Sequence, residues 1–220
     1  MFDRNTSPAP LRVSAGGLLV KPVLASASPQ RTAILDQLGI PHVVVPAHID
    51  EIMDGDPRQV AEQNARNKAH HVAKQHRFVP VIGSDTIVVL ESGEILGKPK
   101  DLDDARAMLG RLLGATHTVI SGLAIAGPGN TQTRSGVAET TVSMRTLSAE
   151  AIDRHLAHGE WEGRAGAYAI QGRGAGLVTE IRGDYANVVG LPVALLAELA
   201  PDLLDRAPRK GTSAPGANAE

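Results

Sequence analysis

Cysteine is absent from the 220-residue sequence. That excludes disulfides, thiolate nucleophiles, iron–sulfur clusters and cysteine zinc sites. Aromatic residues make up only 2%, so the core has to be aliphatic. A platform of several stacking aromatics, of the kind single-strand nucleic-acid binders use, is not available. The formal net charge is −2, from 22 Lys and Arg against 24 Asp and Glu. The basic footprint of a nucleic-acid binder is therefore missing. No apolar run approaches the roughly 20 residues of a membrane span. The first residues, MFDRNTSPAPLRVSAGG, lack the apolar stretch of a signal peptide. The expectation is a cytoplasmic protein with neither nucleic acid nor membrane as partner.

What is present is globular, at 42% hydrophobic and 21% charged residues. The length suits one large domain or two small ones and can bury a sizeable core. Residues 1–17 and 207–220 are rich in Pro, Gly, Ser, Ala and Asn and carry little apolar periodicity. They read as disordered tails around a single domain over residues 18–206.

Within that domain, strands are expected at Leu18–Ala25, His42–Pro46, Val79–Leu90, about Thr116–Ala126 and about Ser135–Thr146. Helices are expected at Pro29–Leu38, from Pro57 to about His76, after Asp101, from Ser148 to His158, and after Pro192. The long helix from Pro57 carries a stripe of small residues, Ala61, Ala65, Ala69, Val72 and Ala73. Such a stripe permits close packing against a sheet. Glu91 to Glu94 reads as a hairpin turn into Ile95-Leu96-Gly97. Residues 160–191 are glycine-rich with short apolar pieces. Helices and strands alternate, but two hairpins interrupt the pattern, which predicts a mixed α/β protein.

Six segments could carry chemistry. Ser26-Ala27-Ser28-Pro29-Gln30-Arg31 lies between a strand and a helix. Free backbone N–H groups at a helix start, two hydroxyls and a guanidinium form a phosphate cradle. The same residues also suit an ordinary serine cap followed by proline. In Gly83-Ser84-Asp85-Thr86 an acidic residue interrupts an apolar strand. Burying it is costly unless it is paired, hydrogen-bonded or metal-bound.

Lys98, before Pro99 at the end of the hairpin, could reach an anion. Lys68 lies one turn after Asn64 on the alanine-rich helix, where a solvated lysine is the plainer reading. Asp50-Glu51, with Asp54 and Asp56 behind, offers carboxylates that suit Mg²⁺ or Mn²⁺ rather than zinc. Trp161 to Gly172 sets the only Trp and one of two Tyr among glycines, with Gln171 as an amide able to read a base edge. There is no G-x-S-x-G, no H-E-x-x-H and no Walker lysine.

Taken in order, LASASPQR, IDE, NKA, GSDTIVV, ILGKP, AGAYAIQG and YANVVGLP resemble the Maf family of nucleoside triphosphate pyrophosphatases. The resemblance runs from Leu24 to Pro192. It implies an α/β fold with an elongated, twisted mixed sheet and two lobes around a cleft, related to inosine-triphosphate pyrophosphatases. It implies hydrolysis of a nucleoside triphosphate to monophosphate and pyrophosphate with a divalent cation, usually Mg²⁺. Asp85 falls on the position regarded as general base. Arg31, Glu51, Lys68 and Lys98 fall on other polar positions linked to activity. Thr86 and Gln171 fall on positions associated with substrate choice.

The residues suit those roles. A carboxylate has to activate water, and cations have to neutralise the phosphates. Asp85 suits the first task; Ser26, Ser28, Arg31, Lys68, Lys98 and a metal suit the second. Glu51 would hold the metal, with Asp85 as base or as a second ligand; both readings stay open. The subfamily acting on dTTP and UTP resembles this chain at Thr86 and Gln171, but usually has Arg where this chain has Gln30. A subfamily acting on 7-methylguanosine triphosphate typically has Trp there, and Gln at the Thr86 position. The expected substrates are pyrimidine triphosphates, modified ones included. The family name also implies a rival role, a nucleotide-binding regulator of septum formation working through a protein partner, and the family suggests a homodimer.

Overall fold

The computed structural model describes residues 20–205 except residue 131. Both expected tails lie outside the described residues. The strands are β1 (Val23–Leu24), β2 (Val43–Val44), β3 (Val81–Leu90), β4 (Ile95–Leu96), β5 (Thr116–Ala126), β6 (Thr133–Met144) and β7 (Val178–Arg182). The helices are α1 (Pro29–Gln37), α2 (Pro57–Ala73), α3 (Leu102–Leu112), α4 (Ala149–Leu156), α5 (Tyr185–Val189), α6 (Val193–Leu199) and α7 (Pro201–Asp205). Among the described residues no helix is long and apolar enough to cross a membrane.

All seven strands join one sheet in the order β2-β1-β3-β5-β6-β7, with β4 on β3 beyond that path. β2, β1 and β3 run parallel. β4 and β5 run antiparallel to β3, and β6 and β7 continue the alternation. The fold is the expected α/β arrangement with a mixed sheet.

Local chemistry sets most boundaries. Asp56 caps α2 by accepting from the Gln59 N–H at 3.0 Å, and Asp101 caps α3 by accepting from Asp104 at 2.8 Å. Ser148 accepts from Ala151 at 3.4 Å. Three elements escaped the sequence reading: β7 and α5, both inside the glycine-rich stretch, and the short α7 that follows the last expected helix. β7 is an edge strand with no buried residue, so it carries no apolar alternation to read. α5 has five residues and one buried side chain, Asn187. β1 and β2 shrink to two residues each, and α2 ends at Ala73 rather than near His76.

Helix α2 lies against β3 and β5 with its backbone in contact, and two glycines make that approach feasible. A Cβ on Gly83 would meet the Ala65 carbonyl, and would come within 2.7 Å of the Ala69 nitrogen. A Cβ on Gly122, the partner of Asp85 across the sheet, would meet the Ala61 carbonyl and stand 2.7 Å from the Glu62 nitrogen. The alanine stripe is fully buried against these strands.

The core is aliphatic and divided. Ile82, at one end of β3, packs with Leu24, Leu35, Leu123 and Leu191. Val88, near the other end, packs with Leu109, Leu112, Leu156 and Tyr168. Asp85 lies on the stretch of β3 between the two clusters.

Candidate active site

Asp85 is 4% exposed on a strand that is otherwise largely apolar. Such a carboxylate has to be satisfied from nearby, and α2 supplies both partners. Lys68 Nζ donates to Asp85 Oδ1 at 2.6 Å, and Asn64 Nδ2 donates to Asp85 Oδ2 at 2.9 Å. Residues 64 and 68 share one helix face, and the glycine contacts bring that face onto the sheet. Lys68 Nζ also donates to Glu51 Oε1 at 2.6 Å. One ammonium therefore bridges the two carboxylates, and the trio keeps one net negative charge.

Arg31 enters from α1. Its Nε donates to the Gly190 carbonyl at 2.8 Å, and its two terminal nitrogens donate to Ser26 Oγ at 2.9 Å and Thr86 Oγ1 at 3.2 Å. Burial pushes the guanidinium below its ordinary pKa, and the charges of Asp85 and Glu51 pull it upward. It remains a fixed cation. Thr86 Oγ1 also lies 2.8 Å from Ser121 Oγ on β5, so its hydroxyl is held from two sides. Ser28 takes the cap position of α1 but makes no capping bond; its hydroxyl donates instead to Gln30 Oε1 at 3.1 Å. The first turn of α1 is thus left without a side-chain cap.

Ser26, Ser28, Gln30, Arg31, Glu51, Lys68, Asp85, Thr86, Lys98 and Gln171 all line one cleft of about 1300 Å³. The ten residues singled out from the sequence are therefore brought together. They are not equivalent within the cleft. Lys68 touches both Glu51 and Asp85, and Arg31 touches Ser26 and Thr86. Lys98 and Gln171 are exposed. Their two segments are joined by the Gly166 N–H donating to the Gly97 carbonyl at 3.1 Å. Lys68, read as a phosphate ligand, here faces carboxylates.

Sequence reasoning passed over Gly190 and Ser121. Gly190 presents its carbonyl to Arg31 from 159 residues away, which no local pattern signals. Ser121 faces Thr86 across the register and would have shown only once β3 and β5 were paired.

Among the described residues no group of three or more His, Asp or Glu could hold a metal. The donor set is instead two carboxylates. That fits Mg²⁺, which is commonly held by one or two carboxylates while substrate phosphates and water complete the shell. It suits zinc less, since zinc sites are built mainly on His nitrogen and Cys sulfur.

Residues 21–203 match the family model described as Maf-like protein. The chain belongs to the Maf family. A protein of Dictyoglomus turgidum named dTTP/UTP pyrophosphatase is 43% identical over 180 residues, covering 80% of this chain and 93% of that protein. One of Clostridioides difficile with the same name is 43% identical over 179 residues, covering 80% and 92%. One of Halalkalibacterium halodurans, again so named, is 44% identical over 174 residues, covering 78% and 90%. A solved nucleoside-triphosphatase / dITP/XTP pyrophosphatase of Mycobacterium abscessus is 17% identical with a TM-score of 0.40, covering 63% of this chain and 94% of that one. A solved HAM1 protein of Coxiella burnetii is 12% identical with a TM-score of 0.41, covering 85% and 95%. As a Maf chain, this one has its acidic strand residue, bridging lysine and guanidinium in a single cleft.

Proposed function

We propose that this Maf chain hydrolyses nucleoside triphosphates between the α and β phosphates, with dTTP and UTP as the favoured class. The observation that carries the reading is Asp85, a carboxylate fixed at both oxygens in a cleft lined by Arg31, Lys68 and Lys98. The relatives named dTTP/UTP pyrophosphatase, about 43% identical over four-fifths of the chain, support the substrate class.

Water is a weak nucleophile, and a triphosphate repels it by charge. Asp85 takes a proton from the water that attacks the α-phosphorus. Arg31 and Lys98 face the phosphate oxygens, where negative charge is present throughout and shifts towards the leaving group. Lys68 joins them when phosphate competes with the carboxylates for its ammonium. The bond to the β-phosphate oxygen breaks, and nucleoside monophosphate and pyrophosphate leave. Glu51 would hold a Mg²⁺, or Mn²⁺ with the same donors, with Asp85 as a second ligand where it does not serve as the base, and such an ion neutralises phosphate charge.

The base end is set by Thr86, held against Arg31, and by the Gln171 amide, which offers both a donor and an acceptor to a pyrimidine edge. Gln30 lines the same cleft, accepting from Ser28, with neither charge nor fork. That favours a broader choice among pyrimidine triphosphates, modified ones included.

The test is pyrophosphate release with Mg²⁺ from dTTP, UTP, CTP, dATP, GTP, ITP, 7-methyl-GTP and 5-methyl-UTP, for wild type and Asp85→Asn. Pyrophosphate rather than orthophosphate, greatest with dTTP or UTP and lost in the variant, is the expected result. Binding without release from any of them would sink the enzyme reading and leave a nucleotide-binding regulator of septum formation.

A further inference from the structure

Asn64 is a polar residue in a row of alanines. It stands on α2 among Ala61, Ala65 and Ala69, and only 1% of it is exposed. Its carboxamide is nearly saturated. Asn64 Oδ1 accepts from the Ile52 N–H at 2.8 Å. Asn64 Nδ2 donates to the Ile52 carbonyl at 2.9 Å and to Asp85 Oδ2 at 2.9 Å. The orientation of the amide is fixed by its partners. Turned over, it would set its oxygen against a carboxylate and its NH₂ against an N–H.

Ile52 is held through both its backbone groups, as a neighbouring strand would hold it. The preceding residue is Glu51, which pairs with Lys68 one turn further along α2. Lys68 in turn holds the other oxygen of Asp85. The contacts close a ring: Asp85, Asn64, Ile52, Glu51, Lys68 and back to Asp85. The segment carrying Glu51 has neither helix nor strand, and Ile52 and Met53 are 40% and 39% exposed. The Ile52 and Met53 side chains do little to anchor it, so the amide and the Glu51–Lys68 pair are its attachments beside the site.

We propose that Asn64 is a positioning residue, which fixes the Asp85 carboxylate and the Glu51 segment in one arrangement against α2. This rests on the pyrophosphatase reading above. A short amide is required. Leucine fills the space without bonds, aspartate keeps the acceptor and loses both donations, and glutamine is a methylene too long for the same geometry.

The experiment compares wild type with Asn64→Ala and Asn64→Asp. Circular dichroism and melting establish that each is folded. Steady-state pyrophosphate release from dTTP gives kcat and KM. Affinity for α,β-imido-dUTP, which resists cleavage at the scissile position, gives binding apart from turnover. A misplaced reacting group costs up to about 100-fold. Folded variants are therefore expected to lose about 10–100-fold in kcat, with KM and analogue affinity within about threefold of wild type.

A kcat within threefold of wild type in a folded variant, or a loss carried wholly by KM, would overturn the proposal. Amide hydrogen exchange on the wild-type protein tests it even if neither variant folds. The Ile52 amide should be protected despite the exposure of its side chain, and exchange at the rate of a free loop would also overturn it. A wild-type protein that releases no pyrophosphate would instead end the enzyme reading.

Discussion

The Lys68 ammonium lies 2.6 Å from the Asp85 carboxylate, with 10% and 5% of the two side chains exposed. Pairs this buried are held by balance rather than by a large net gain. Removing one partner strands the other, and that is what Lys68→Met would do to Asp85. The expected loss is about 3–5 kcal/mol, read from urea unfolding at neutral pH. Adding Asp85→Asn removes the stranded charge. The double variant should regain part of that loss, and strictly additive losses would show that the two groups are not coupled.

Close contact between α2 and the sheet makes a second prediction. Gly83→Ala and Gly122→Ala both drive a methyl into helix backbone rather than into a flexible side chain. Each should cost about 1–3 kcal/mol or more through forced repacking. Each should also lower kcat, because moving α2 moves Asn64 and Lys68 away from Asp85. Gly110, on the exposed side of α3, has nothing within 4 Å of an added Cβ. Gly110→Ala should therefore stabilise by about 0.5–1 kcal/mol without touching activity. Unfolding midpoints of the three variants, set beside their kcat, check the contrast.

The site was legible where the sequence broke its own pattern. Asp85 interrupts an apolar strand, and the alanines of α2 announce close packing. Ser26 to Arg31 sit at a strand-to-helix turn. What stayed hidden depends on long-range contact. Asn64 looks like any helix polar residue until Ile52 and Asp85 close around it. Arg31 looks exposed until the Gly190 carbonyl arrives from the far end of the chain. β7 shows no alternation because an edge strand without buried residues has none to show. The short parallel strands β1 and β2 have too few residues for a period, and their extent is set by the pairing of β2 with β1 and of β1 with β3.

Arg31 gives a third prediction. Its three donors reach Gly190, Ser26 and Thr86 in three directions, which matches a planar fork and not the point charge of lysine. Arg31→Lys keeps the charge and loses the geometry. kcat/KM for dTTP should fall by about 10–100-fold, mostly through KM, because on the proposed reading the fork that faces the phosphates is gone. Thr86→Val removes one acceptor and should produce a smaller rise in KM. Steady-state kinetics on both variants is the check. An unchanged KM in Arg31→Lys would mean that Arg31 only braces the wall of the cleft.

Acid sensitivity should be concentrated at His117. Its Nε2 meets Tyr168 Oη at 2.9 Å, the two rings stand edge to face, and its Nδ1 has no hydrogen-bond partner among the described residues. Burial pushes its pKa down to about 4 from an ordinary 6.5. In the unfolded chain the same imidazole takes up a proton as pH drops below 6.5, while the folded protein resists until about 4. Stability is therefore complete above 6.5, declines between 6.5 and 4, and loses nothing further from this group below 4. The whole difference is worth about 3 kcal/mol. His70 and His155, also lowered by burial, act in the same direction. His117→Gln removes the titrating group at similar polarity. Between pH 7 and pH 4.5 the variant should lose about 2 kcal/mol less than wild type in urea unfolding. Equal losses would place the acid sensitivity elsewhere, with His70 and His155 the next imidazoles to replace.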